Sequence, residues 1–177
     1  ALTSSQVAAL TSTQLAGLST AQVAAIETGD LAALSVNQLR ALGTAQVGAL
    51  TTAQLQALDT TQIAGLSTAQ VAALSTAQVA ALETDDLRAM TSAHIGALSS
   101  AHVAGLSTSQ LAAIDAADLR ALSSQAIRAL GTAAIAALST EQVSALSSSQ
   151  VASLSTAQVA AIETADLAAM SSAQICA

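Results

Sequence analysis

The sequence predicts an all-α fold, a narrow α-solenoid of very short helices, and three observations predict it. After Ala1 the chain divides into 22 consecutive octads, 2–177, with no insertion or deletion. Each octad carries two signals for the start of a helix, and its charges are sorted along its length. The commonest octad, Leu-Ser-Thr-Ala-Gln-Val-Ala-Ala, recurs unaltered at 18–25, 66–73, 74–81 and 154–161. With so short a period, a unit buries its apolar residues only against its neighbours, which is the condition of a solenoid.

Within the octad, position 1 is Leu in 17 blocks, Ile at 26, 114 and 162, and Met at 90 and 170. Position 6 is always Val, Leu or Ile, and position 8 is always Ala, Gly or Ser. One long helix does not accommodate this pattern. Eight residues advance roughly 80° past two turns, so the Leu stripe would spiral around the rod. A strand fails as well, because positions 1 and 6 have opposite parity and would face opposite sides. A helix restarted every eight residues fits. Ser or Thr at position 2 and Gln at position 5 form a capping box, and the aliphatics at 1 and 6 form the hydrophobic staple around it. The helix then covers about six residues, positions 3–8.

Charge follows the same frame. All eleven acids lie at positions 2, 4 or 5, and all four Arg (Arg40, Arg88, Arg120, Arg128) lie at position 7. Acids near a helix start and cations near its end each gain roughly 0.3–1 kcal/mol from the helix dipole. Helices this short do not persist alone, so stacking must hold them. Small residues at position 8 let adjacent turns approach closely. Two octads per coil, as back-to-back helices with a Leu/Val/Ile spine, are expected. The unbroken period implies one array over 1–177. Its ends lack the polar caps of a finished solenoid, so a segment of a longer array is expected. A second period, eleven octads long, relates 18–49 to 106–137 and reads as duplication of a large cassette.

Composition excludes several function classes. There is no Phe, Trp or Tyr, which removes aromatic stacking and aromatic-anchored recognition. The net charge is −7 with no Lys, which opposes nucleic acid and anionic membranes. Mean hydropathy is +0.60, yet every octad brings hydroxyl or amide groups, so no span of about 20 apolar residues exists and membrane insertion is not expected. The single cysteine, Cys176, forbids an internal disulfide and is expected to pack as a small residue.

Four octads replace the Ser/Gln pair with acids: Glu27 with Asp30, Glu83 with Asp86, Asp115 with Asp118, and Glu163 with Asp166. Capping and solubility account for them; a calcium contact at Asp86, helped by Asp85, is the alternative. His94 and His102 hold position 5 of adjacent octads, where they could share one surface and begin a metal site, though no third ligand is near. They are expected to be surface His in place of Gln. Ser or Thr at position 3 in 20 of 22 octads forms a hydroxyl ladder, read as early-helix residues or as an array for ice or a polysaccharide. No nucleophile–base arrangement stands out, so no catalysis and no cofactor are expected.

Over its whole length the LSTAQVAA pattern resembles the Ala/Ser/Thr/Gln-rich octapeptide arrays of very long bacterial secreted or surface proteins, some of them adhesin-like. That resemblance implies an extracellular or cell-surface, nonenzymatic stalk or spacer whose partners are neighbouring repeats or domains of the same chain. A binding module using the hydroxyl or acidic ladder for ice, glycan or calcium is the alternative.

Overall fold

The computed structural model describes residues 4–177, and all the regular structure in them is helical. Among these described residues there are 22 helices of four to six residues, from α1 (Ser4–Ala8) to α22 (Ser172–Ile175), and every one begins at octad position 3. The local reading holds at position 2, which is the N-cap in extended backbone. In the octad 66–73, the Ser67 N–H donates to Gln70 Oε1 at 2.8 Å, and the Gln70 N–H donates to Ser67 Oγ at 3.2 Å. These reciprocal bonds satisfy two donors that a helix start otherwise leaves unpaired. The staple residues on either side of the cap, such as Leu66 and Val71, are buried.

The chain forms two compact units, 1–90 and 91–177. Each is a narrow solenoid built the same way. In the first unit α3 (Thr20–Ala24) packs on α6 (Thr44–Gly48), and α6 on α9 (Thr68–Ala72). In the second, α12 (Ser92–Gly96) packs on α15 (Ala116–Leu119), α15 on α18 (Thr140–Ala145), and α18 on α21 (Thr164–Ala169). The partner is the third helix along, so three octads make a coil and the expected two do not. The corner explains the difference. A typical helix ends on position 8 in the right-handed region, as at Ala73 (φ −88°, ψ −6°), and the chain is extended again by position 2, as at Ser75 (φ −76°, ψ 160°). No described residue has positive φ, so no left-handed residue folds the chain back on itself. Each corner turns the chain by about a third of a circle, and three are needed to close a coil.

Position 6 forms the centre of the core: Leu15, Ile63, Ile95 and Ile127 are fully buried. At one position 8, Gly65, the reason for a small residue is contact and not backbone freedom. Gly65 has φ −82°, which any residue adopts, but a Cβ there would lie 2.3 Å from Val36 Cγ1, three octads earlier. Val36 stands where nearly every other octad has Ser or Thr, and its β-branch leaves it little room to move. Cys176 is exposed, contrary to expectation, because it holds position 7, which faces solvent in most octads, as at Ala72, Ala80 and Arg88. No helix among the described residues is long and apolar enough to cross a membrane.

Candidate functional site

The polar row at position 5 carries most of the structure's chemistry, and it lies between coils. Gln46, Gln54, Gln62, Gln70 and Gln78 are buried, as are Gln142, Gln150 and Gln158. A Gln amide offers one acceptor oxygen and two N–H donors, and both ends are used. The oxygen closes the capping box of its own octad. The nitrogen reaches the preceding coil: Gln70 Nε2 donates to the Leu39 carbonyl at 2.8 Å and to the Leu42 carbonyl at 2.8 Å. Gln78 does the same to Val47 and Leu50, and in the second unit Gln142 to Leu111 and Ile114. One acceptor always lies 28 residues earlier, at position 1, and the other 31 residues earlier at position 6, or 30 at position 7 as for Gln62. These are carbonyls at helix ends and corners, the groups that a short helix cannot satisfy itself. Every buried side-chain nitrogen and oxygen among the described residues has a partner.

Aspartate at position 5 works differently. Its side chain is shorter than Gln and, ionised, only accepts. It therefore takes a hydroxyl from position 3 of the octad three earlier. Ser4 donates to Asp30, Ser92 to Asp118, and Thr140 to Asp166 at 2.6 Å. Asp86 holds Thr60 in the same register and also accepts from the Glu83 N–H at 3.2 Å. The acidic pairs are thus divided in role. Glu27, Asp115 and Glu163 are exposed and make no side-chain cap bond, contrary to the capping expectation, while Asp30, Asp86 and Asp166 are buried inter-coil acceptors.

Burial pushes the Asp86 carboxyl above the usual aspartate range, with Glu83 and Asp85 adding to the rise and the bonds from Glu83 and Thr60 opposing it. A carboxyl that holds its proton more tightly when folded stabilises the fold when protonated. Stability therefore rises as pH falls through that raised pKa and is lost as pH climbs back through it. Asp86→Asn removes the charge, keeps one acceptor oxygen for the Glu83 N–H, and turns its NH₂ toward the Thr60 hydroxyl, which can accept as well as donate. It is expected to melt higher than the parent at pH 7, with the difference shrinking toward pH 4. Equal Tm values at every pH would contradict this.

Asp85 is exposed and pairs with Arg88 at 2.7 Å, a surface contact worth about 0–1 kcal/mol. His94 and His102 are both buried, not surface residues as expected. Each Nδ1 accepts from its N-cap amide, Thr91 at 3.4 Å and Ser99 at 3.2 Å. A neutral ring then carries its proton on Nε2, giving the same acceptor–donor order as the Gln amide it replaces. With three octads per coil, adjacent octads occupy different sides, so the two rings do not share one surface. Among the described residues no three of His, Cys, Asp and Glu gather into a possible metal cluster.

Ala126 and Ala134 hold position 5 without an amide, and their helices, α16 (Ser124–Arg128) and α17 (Thr132–Ala136), have no capping box. The octad 130–137 differs from 42–49 only at positions 5, 6 and 7, and in the latter Gln46 bonds Gly43 N–H at 2.6 Å and the Leu15 carbonyl at 2.9 Å. Ala134→Gln should therefore close a capping box on Gly131 and reach the carbonyls of Val103 and Leu106. A gain of about 1 kcal/mol in urea unfolding is expected; a loss would show that the ladder has no room there.

Sequence reasoning identified the capping role of position 5 but missed its second, inter-coil role. Comparison with curated proteins finds no match. The family model described as the ALTTAQ repeat matches five times, at residues 23–60, 52–84, 79–113, 111–148 and 136–161. These overlapping matches run unbroken through most of the octads whose ladder is described above, so the chain belongs to the ALTTAQ repeat family.

Proposed function

We propose that this repeat protein is a nonenzymatic spacer, a stacked array that holds whatever is attached to it at a set distance. One observation carries the reading: most of the side chains best suited to chemistry, the Gln and Asp of position 5, are buried and committed to joining one coil to the next. A group that closes the fold is not available to a substrate. The exposed positions 2, 3, 4 and 7 bear small hydroxyls, Ala and scattered charge, a surface suited to solubility more than to recognition. The resemblance to long bacterial octapeptide arrays supports a secreted or cell-surface setting. The test is replacement in the parent protein. An unrelated solenoid of equal length is expected to preserve function, and deletion of whole three-octad coils to shorten reach and nothing else. Loss of function on equal-length replacement would overturn the spacer reading. Protease accessibility on intact cells checks the location; a chain protected until lysis would contradict it.

A further inference from the structure

The amide ladder has a gap, and the gap is one full turn long. In octads 114–121, 122–129 and 130–137, position 5 is Asp118, Ala126 and Ala134. Alanine offers no polar group there, and an ionised Asp only accepts. Every other set of three consecutive octads contains a Gln or a His at position 5. The helices of the gap, α15, α16 and α17, stack on α12, α13 (Ser100–Ala104) and α14 (Thr108–Ala113), all within the second unit.

The missing bonds can be named. By the register of the other octads, a Gln at 126 would reach the carbonyls of Ile95 and Leu98, and one at 134 those of Val103 and Leu106. All four residues are buried, and among the described residues no side chain donates to their carbonyls. A buried carbonyl that lacks a donor weakens the contact it sits in. One side-chain bond crosses the turn, from the Ser92 hydroxyl to Asp118. The same helices also lack support within their own octads. None of the three has a capping box, and Asp115 and Gly131 make no side-chain cap bond.

Octads 42–57 show the contrast. Gln46 and Gln54 bond the coil before, and Gln70 and Gln78 return from the coil after to Leu42, Val47 and Leu50. The gap is also one-sided. Toward the following coil it is tied normally, with Gln150 donating to the Leu122 carbonyl at 2.9 Å and Gln158 to the Leu130 carbonyl at 2.8 Å. The turn is closed mainly by apolar packing of buried Ile95, Leu98, Leu119, Leu122 and Ile127. Such packing is non-directional, so it does not fix register as a pair of amide bonds does.

We propose that this turn is a built-in joint, where the second unit opens and bends first. Its use rests on the spacer reading: a stalk that gives at one turn bends there while its other turns stay closed. Stability in a stacked array is a sum over neighbouring units, so the contact with the fewest bonds opens most often. Helices of four or five residues do not persist once unstacked, so each opening exposes their backbone amides.

Hydrogen–deuterium exchange on the whole 177-residue chain tests the joint. Amides of 122–137 are expected to exchange at least about tenfold faster than those of 42–57 or 138–145. Ala126→Gln/Ala134→Gln should slow 122–137 to the rate of 42–57. Should circular dichroism show that this variant has lost helix, the converse pair decides: Gln46→Ala/Gln54→Ala should speed 42–57 to the rate of 122–137. Equal rates in the unmodified chain overturn the proposal, and so does a converse pair that leaves 42–57 unchanged. Exchange reads the chain alone. A flat profile therefore removes the joint and leaves the spacer standing, whereas loss of function on equal-length replacement removes the spacer and leaves the joint.

Discussion

Gln70→Glu is expected to destabilise the fold by about 3 kcal/mol at pH 7, although it exchanges a single NH₂ for oxygen. The retained oxygen still accepts from the Ser67 N–H. The new one replaces a donor that lies 2.8 Å from each of two carbonyl oxygens, so a buried carboxylate faces acceptors only. Two bonds are lost and a desolvated charge is left unpaired, and the second effect dominates because Gln70 is buried. Lowering the pH restores one O–H donor, so part of the loss should return. Gln14→Glu makes the same exchange on an exposed side chain with no earlier coil in this chain, and it should be close to neutral. Urea midpoints of the two variants check the prediction. If Gln70→Glu lies within about 0.5 kcal/mol of the parent, the inter-coil bonds do not stabilise the fold.

Ile63→Ala is expected to cost about 2–5 kcal/mol. Ile63 is completely buried at position 6, with coils on both sides, and removing its outer carbons leaves a cavity that neighbouring helices, tied by their own ladder bonds, cannot easily fill. The equivalent change in the last described coil, Leu167→Ala, removes a side chain that is already over a third exposed and should cost under about 1 kcal/mol in this chain. The contrast matters more than either value. A stacked solenoid predicts that the cost depends on whether a following coil is present, and equal costs would deny the stacking. Thermal melts of both variants against the parent decide it.

The start and end of each helix were legible in the sequence to within a residue or two. Position 2 caps, position 3 begins the helix, and positions 1 and 6 are buried, as at Ser67, Thr68, Leu66 and Val71. The capping half of the candidate site was legible for the same reason. Its other half was not, nor was the number of octads per coil. His94 and His102 show the consequence: read on their own octads they are surface substitutes for Gln, and in the fold they are buried.

The sequence by itself therefore determined what is decided within eight residues, because caps and staples join groups three to five positions apart and their residue types are distinctive. The tertiary structure alone decided what joins groups 26, 28 and 31 residues apart: three octads per coil, the amide ladder, and the hydroxyls held by Asp30, Asp118 and Asp166. In a repeat this regular nearly every offset brings the same residue types together; position 3 is a hydroxyl in 20 of 22 octads, so its pairing with aspartate carries no signal. The angle of the corner, a right-handed position 8 followed by extended backbone at position 2, selects one offset among these equivalents.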